Sequence, residues 1–557
     1  MLRGDVKALL ALRHRRSIAD VSGSFWRLGQ VAGIAASLAL AVLLVYGGAL
    51  RHAFVWDDHA YLEQNAFLRS PRNLLELKDP SAVMNAARPV WILSAMADVQ
   101  LWGLSPRGHH LTSLILHAWN ALLVLALARA GGASRTAAWL GALLFAVHPL
   151  AAEAVCMASF RPSLLAGTGM ACAVLCALRM QQAQGGGRWA WLGATLASTA
   201  FALGSKETAA VLPLLCLLWM PFSAPSRLRW MAMGLLAALV TLALVLRAPW
   251  STYRLPFLPG QDALAPPGVL ARWNGAGEVG ALLAVPLSLG HLLLRCFWPF
   301  GVGVDLRFPA TGALRILQLV LLAAALLGVW KTRGSLLGKA LGWVLLTALP
   351  TANLVPMPNP AADRYAYVPL MGLALAAGLG LARLLESGGL ARIGVPLFLG
   401  LACLLGRANG GAWRDDEVLW NRVIRVSPAS SRARSNAGVI AVRRGRQAGL
   451  SEREALLRRA EGLLGQARAL APDDPWPEAH LGRLADARRD FPAAAGHYAA
   501  AIRLSPRPVR WLFLLQGDAL WKAGDSVHAV AAWKEGLRLF PDYGEAIERL
   551  KRAGAFP

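Results

Sequence analysis

The apolar run Val31 to Leu50, VAGIAASLALAVLLVYGGAL, leads almost directly into Phe54-Val55-Trp56-Asp57-Asp58-His59-Ala60-Tyr61. Reading the first piece decides the fold. About twenty uncharged residues match one bilayer crossing. The second piece places two adjacent carboxylates, aromatics on either side and a histidine at the edge of that crossing. Such a group suits proton transfer or metal binding, although a polar loop that only ends the helix would read the same way.

The rest of the chain follows the same pattern. With 56% hydrophobic and 16% charged residues over 557 positions, it is too apolar for a soluble protein. Spans are expected near 31–50, 110–128, 136–150, 162–179, 189–204, 208–222, 230–247, 314–330, 340–356, 366–385 and 391–407, about eleven crossings. Val90 to Leu104, interrupted by Asp98, reads as a segment on the membrane surface, and 280–298 as interfacial or re-entrant. The basic start (Arg3, Lys7, Arg13, Arg15, Arg16, Arg27) and the basic turns at Arg129/Arg135, Arg179/Arg188 and Arg227/Arg229 all fall on one side. By the positive-inside rule that side is cytoplasmic, so the N-terminus is inside, and an odd number of crossings puts the tail outside. The first run lacks a convincing cleavage site and reads as a retained helix.

The net charge of +25 does not imply nucleic acid. Much of the excess lies in short loops, where it sets topology, and residues 408–557 carry only about +7 with no basic block. Of six cysteines, five lie in apolar stretches and no CxxC occurs, so small buried hydrophobes fit better than metal ligands. The Arg- and Ala-rich composition suggests a GC-rich bacterium, hence an inner-membrane protein with a periplasmic tail. A eukaryotic source would make the tail lumenal in the endoplasmic reticulum.

The division falls at 1–407, the polytopic part, and 408–557, the tail. The tail repeats. Gly438, Gly482 and Gly517 head matching patterns that continue through Ala460/Leu464/Ala467/Pro472, Ala494/Tyr498/Ala501/Pro506 and Ala529/Trp533/Gly536/Pro541, once about ten extra residues near 445–454 are allowed. A period of about 34 residues with small-large-small positions and a terminal Pro is the tetratricopeptide (TPR) signature. The expected fold is all-α: a polytopic helical bundle followed by an α-solenoid. Such arrays bind extended peptides or partner proteins on a concave face.

Further polar motifs lie on the side of Asp57. They are His148-Pro149-Leu150-Ala151-Ala152-Glu153 with Arg161 beyond it, Ser205-Lys206-Glu207, Asp305 and Arg307, and Asp363-Arg364-Tyr365-Ala366-Tyr367. Each alone could simply anchor a helix end. Apart from Asp305 and Arg307, and together with WDD at Trp56, Arg88-Pro89, His109/His110 and Trp413-Arg-Asp-Asp-Glu417, they resemble, in order, the transmembrane and tetratricopeptide-repeat O-mannosyltransferase family. That family belongs to the GT-C class of polytopic glycosyltransferases, and the resemblance covers nearly the whole chain.

The resemblance implies transfer of a sugar from a polyprenyl-phosphate carrier to a Ser or Thr hydroxyl of a protein. It assigns Asp57 as the base, with Asp58 orienting it or aiding acceptor or metal binding. Arg364, Lys206 and Arg161 would neutralise the donor phosphate. Glu153, His148, His109, Arg88, Tyr365 and Tyr367 would line the sugar or acceptor site. Attack from the face opposite the phosphate gives inversion. In the family an acidic residue stands two places after the arginine that follows HP-x-x-x-E. Here the stretch reads Arg161-Pro162-Ser163, so that carboxylate's role does not transfer. The residues show no metal-ligand spacing and leave a divalent cation open. A glycan or lipid acceptor on the same fold, and a non-enzymatic TPR scaffold, are the alternatives. A scaffold needs one anchor rather than many spans.

Overall fold

A computed structural model of the chain describes residues 32–75, 87–220, 227–247, 277–301, 303–304, 312–354, 359, 361–506, 508–541 and 543–555. The basic N-terminal residues, Asp305 and Arg307 lie outside them. Among the described residues the regular elements are all helices. The bundle comprises α1 (Ala32–Arg51), α2 (Pro89–Trp102), α3 (Pro106–Ala130), α4 (Arg135–Val147), α5 (Ala152–Cys156), α6 (Pro162–Gln182) and α7 (Gly187–Ser205). It continues with α8 (Leu212–Trp219), α9 (Arg227–Arg247), α10 (Gly277–Phe297), α11 (Gly312–Lys331), α12 (Leu336–Ala348), α13 (Tyr367–Ser387) and α14 (Ala391–Gly411).

Each of the eleven stretches expected to cross contains a helix, but their lengths are uneven. Seven helices are long and apolar enough to span, or eight if the bent pair Arg135–Val147 and Pro149–Cys156 counts as one. That pair breaks by 48°, because Pro149 cannot continue the hydrogen-bond ladder of α4. The 208–222 and 340–356 stretches also divide. Short 3-10 turns at Glu207–Val211 and Leu349–Thr351 leave α8 and α12 shorter than a full crossing. The described apolar part of α10, Ala284–Phe297, is likewise short.

Exposed apolar side chains mark the lipid face. Leu43, Leu44, Ile316, Val320, Trp330, Leu397 and Leu404 lie open on α1, α11 and α14, a pattern that water would not tolerate over such an area. Inside, small residues let helices approach. A Cβ on Gly141 would come within 2.7 Å of the Ala374 carbonyl, and one on Gly378 within 2.5 Å of the Ala137 carbonyl, so α4 and α13 touch backbone to backbone. Polar side chains add to this packing. Asn120 of α3 donates to the Leu164 carbonyl at 2.9 Å and to the Tyr367 hydroxyl at 3.1 Å.

The connecting turns sort the charges. Gly131 faces Leu336, and Lys339 donates to the Trp219 carbonyl at 3.1 Å. The turns after α3, α8 and α11 therefore gather at one end of the bundle, with Arg129, Arg135, Arg333 and Lys339 nearby. The segments carrying Asp57, Glu153 (on α5), Lys206 and Arg364 gather at the other end.

Beyond α14 the chain forms α15 (Asp416–Val426), α16 (Ser431–Gln447), α17 (Leu450–Leu470), α18 (Pro475–Ala487), α19 (Phe491–Leu504), α20 (Arg510–Lys522), α21 (Ser526–Leu539) and α22 (Gly544–Arg552). These pack as successive antiparallel pairs. In each pair a glycine receives a large partner: Gly438 faces Leu464, Gly482 faces Tyr498 and Gly517 faces Trp533. A Cβ there would sit 2.7, 2.6 and 2.3 Å from the partner side chain. The extra residues near 445–454 do not form a loop. They lengthen α16 and α17 to 17 and 21 residues, against 13 and 14 in the next pair.

Candidate functional site

The site lies where the loop after α1, the Glu153 turn, the end of α7 and the turn before α13 meet. Asp57 stands on a tight turn. Trp56, just before it, has φ 49, a left-handed conformation that a bulky side chain adopts only when its surroundings impose it. Asp57 itself is half-buried. Burial lifts its carboxyl above the ordinary value, against the pull of the nearby Arg364 and Arg432 guanidinium groups. Its side chain makes no hydrogen bond or ion pair with another described residue, so it is available to accept a proton.

Its neighbour differs. Asp58 is fully buried. One oxygen accepts the Ser159 backbone N–H at 2.7 Å and the other the Val55 N–H at 3.3 Å. Burial lifts its carboxyl to about 6, these bonds opposing. Asp58 therefore fastens the turn to the Ala158–Phe160 loop, and its oxygens do not face an open site. Only the first of the two expected carboxylates is presented.

Arg364 is the second residue of the 3-10 turn Asp363–Ala366 that leads into α13. Its backbone N–H donates to Glu153 Oε2 at 2.5 Å, and its Nη1 to Glu153 Oε1 at 2.6 Å. Three ring faces surround the guanidinium: Phe160 at 4.6 Å, Tyr365 at 5.0 Å and Trp56 at 5.9 Å. Its Nε and Nη2 make no hydrogen bond among the described residues, so part of the fork remains free for an anion. Glu153 is 1% exposed and both its oxygens are occupied by Arg364. It orients the arginine and is not free for the sugar contact expected of it.

Lys206 approaches the Tyr365 ring to 5.9 Å and donates to Ser163 Oγ at 2.9 Å. Burial pushes its ammonium down to about 7; Arg88 adds repulsion, Glu207 opposes and Arg364 adds more. Arg88 grips Glu207 with two bonds of 3.2 and 2.8 Å at the rim. Tyr365 is half-buried between the two cations, its hydroxyl donating to the Asn359 carbonyl at 3.0 Å. Asp57, Arg364, Lys206 and Tyr365 thus form one cluster of neighbouring side chains, with Arg88 beside it.

Four expected site residues lie elsewhere. Arg161 is 1% exposed and pairs with Asp98 at 2.5 Å, and it also donates to Ser94 Oγ at 3.1 Å and the His109 carbonyl at 3.0 Å. His109 is buried in the same cluster, its Nδ1 3.4 Å from Asp98. His148 caps the 3-10 turn after α4, accepting the Leu150 N–H at 3.3 Å. Tyr367 lies inside the bundle, its hydroxyl 2.9 Å from His117 Nδ1, too deep to stack on a sugar at the mouth. The turn before α13 explains the split between the tyrosines: Tyr365 is on the 3-10 turn and Tyr367 on the first residue of the helix.

The sequence reading missed the partners. Asp98 looked like an interruption in a surface segment. In the structure it is 2% exposed, on the buried face of α2 with Trp91, Ala95 and Met96. It supplies Arg161 with the carboxylate that Ser163 cannot. Arg432 of the tail, which faces Asp57, carried no sequence signal. Among the described residues no group of three or more His, Cys, Asp or Glu is placed to hold a metal ion.

No protein-family profile matches the chain. Curated relatives do. Over 196 residues it is 31% identical to protein O-mannosyl-transferase Tmtc1 of Drosophila melanogaster, covering 34% of this chain and 22% of that protein. Against Tmtc3 of the same organism it is 24% identical over 566 residues, covering 84% of this chain and 58% of that protein. Against human TMTC1 it is 32% identical, covering 24% of this chain and 17% of that protein. The chain spans less than two thirds of the length of these relatives. Among solved structures it resembles ArnT from Cupriavidus metallidurans bound to undecaprenyl phosphate, with TM-score 0.37 and 17% identity over 85% of this chain and 80% of that one. The described residues form a polytopic helical membrane architecture, and by sequence the chain is similar to the Tmtc protein O-mannosyl-transferases.

Proposed function

We propose that the chain is a membrane glycosyltransferase that moves a mannose-like sugar from a polyprenyl-phosphate carrier to Ser or Thr hydroxyls of proteins. The observation that carries this reading is the meeting of an unpaired carboxylate, Asp57, with the part-free guanidinium of Arg364 and the ammonium of Lys206 at one end of the bundle. The names of its relatives in fly and human point the same way.

The chemistry follows from those groups. A hydroxyl is a weak nucleophile, and Asp57 takes its proton as the oxygen attacks the anomeric carbon. The bond from that carbon to the phosphate oxygen breaks, its electron pair leaves with the carrier phosphate, and the configuration inverts. Arg364 and Lys206 hold the phosphate and meet its growing charge with donors already in place. Glu153 keeps Arg364 in that pose, and Asp58 keeps the Asp57 turn in its own. The tail, which we read as a TPR array, holds the acceptor polypeptide. The cluster and the tail face away from the cytoplasm, because the basic turns gather at the opposite end of the bundle.

The test uses the full chain in detergent with polyprenyl-phosphate mannose and two acceptors, a Ser/Thr peptide and a glycolipid. Transfer to the peptide is expected, and Asp57→Asn lowers it by about 10²–10⁴-fold. Unchanged transfer by that variant sinks the reading. Transfer to the glycolipid alone replaces the acceptor class.

A further inference from the structure

The tail reaches into the turn that presents Asp57. Asp416, in the first turn of α15, is 8% exposed. Its Oδ1 accepts the Trp56 backbone N–H at 2.8 Å. Its Oδ2 lies 3.0 Å from His59 Nε2 and 2.8 Å from Arg443 Nη2. Three residues before Trp56, the Ala53 N–H donates to the Arg414 carbonyl at 3.0 Å. The Trp420 ring meets Trp56 edge-on at 5.3 Å. Apart from the Arg443 bond, which lies within the tail, every one of these contacts joins residues 53–59 to the segment that follows α14.

The turn needs this support. Trp56 holds φ 49, and a tryptophan released from its surroundings returns to a negative φ. Such a rotation swings the next residue, and the next residue is Asp57. On the bundle side Phe160 braces the same indole at 5.7 Å, and Asp58 ties the turn to Ser159. The tail provides the other jaw. Asp416 is also well suited to carry it. Against burial, which alone would raise its pKa, the bonds from His59, Trp56 and Arg443 hold its carboxyl below the ordinary value.

We propose that Asp416 is a positioning residue, a carboxylate from the tail that holds the Trp56–Asp57 turn in the pose aimed at Arg364. The tail then completes the transferase site and is more than a tether for the acceptor. Trp56, His59, Asp416 and Arg443 also line a cavity of about 410 Å³ between bundle and tail, which continues to Tyr498. An acceptor chain lying there touches the clamp itself, so its arrival and the base's alignment share one set of side chains.

The catalytic half of this inference rests on the transferase reading, and the structural half does not. Asp416→Asn and Asp416→Glu in the full chain therefore go through two measurements: steady-state transfer, and amide hydrogen exchange of 53–61 set against the distant pair 475–504. In Asp416→Asn the 53–61 amides are expected to exchange at least about ten times faster while 475–504 is unchanged. With it kcat falls about 10²-fold, the cost of a reacting group displaced by an ångström, and the acceptor KM stays within about two-fold. Asp416→Glu, which keeps a carboxylate, restores part of kcat. The proposal is overturned if kcat holds in Asp416→Asn, or if exchange rises equally in 475–504, which would make Asp416 a general prop of the tail. If Asp57→Asn leaves transfer untouched while 53–61 still loosens in Asp416→Asn, the clamp stands and the transferase reading falls.

Discussion

Arg161 and Arg364 start from the same expectation and end in different chemistry. Both precede a long helix, both lie at the Asp57 end of the bundle, and the family resemblance assigns both to the donor phosphate. Arg161 is sealed. Its carboxylate partner is 2% exposed, and its two terminal nitrogens are satisfied by Asp98, Ser94 and the His109 carbonyl. Arg364 has a side chain 12% exposed, one nitrogen on Glu153 and aromatic faces around the rest. The number of matched donors decides which arginine can meet an incoming anion. A closed pair supports the fold, and a half-open fork can serve a substrate.

The largest effect expected from this contrast is on stability. Arg161→Gln leaves the Asp98 carboxylate buried without its cation, which costs about 3–5 kcal/mol. The variant should melt well below the parent in detergent. Arg161→Met combined with Asp98→Leu removes both charges and should recover most of that loss, because an apolar pair of similar volume avoids the desolvation penalty. If Arg161→Gln instead melts with the parent and loses transfer, the two arginines have been assigned the wrong way round.

The contrast also measures what a sequence can disclose. Apolar runs marked the helices, since a bilayer imposes length and composition locally. Their interruptions did not announce themselves. Asp98 was read as a break in a surface segment, because its partner stands 63 positions away and nothing near it hints at a guanidinium. The residues Asp57 and Asp58 are adjacent and chemically identical, and only the backbone N–H groups of Ser159 and Val55 distinguish them. Tyr365 and Tyr367 diverge for a similar reason, a 3-10 turn that becomes an α-helix between them. In the tail the period was legible because it repeats a local packing need: Gly482 against Tyr498 and Gly517 against Trp533. The bond from Asp416 to Trp56 joins positions 360 apart, and no pattern along the chain encodes it.

The next effect in size is catalytic. Arg364→Lys keeps a positive charge beside Glu153, so the buried carboxylate stays paired and the fold survives. The planar fork is lost, however, and a point charge cannot face both Glu153 and a phosphate with the same geometry. A fall in kcat of about 10²-fold is expected, similar to removing one well-placed oxyanion donor, with a melting temperature near that of the parent. Parent-like turnover in Arg364→Lys would mean that charge alone, and not the fork, sets Arg364 apart from Arg161.

The smallest effect is a change in the shape of the pH profile, and it tests whether Lys206 belongs with the half-open arginine. Its ammonium, pushed down to about 7, must be protonated to face the phosphate, whereas Asp57, lifted above the ordinary carboxyl value, must be ionised to take the proton. As pH rises through the Asp57 value, kcat/KM climbs; as it rises through about 7, the ammonium is lost and kcat/KM falls. The profile is therefore bell-shaped. Bound donor phosphate favours the ammonium, so the falling limb of kcat lies at higher pH than that of kcat/KM. Lys206→Arg carries a group that does not deprotonate in this range, and it should abolish the falling limb while leaving the rising one in place. A falling limb that persists in Lys206→Arg would assign it to another group and remove Lys206 from the phosphate site, leaving Arg364 to hold the donor alone.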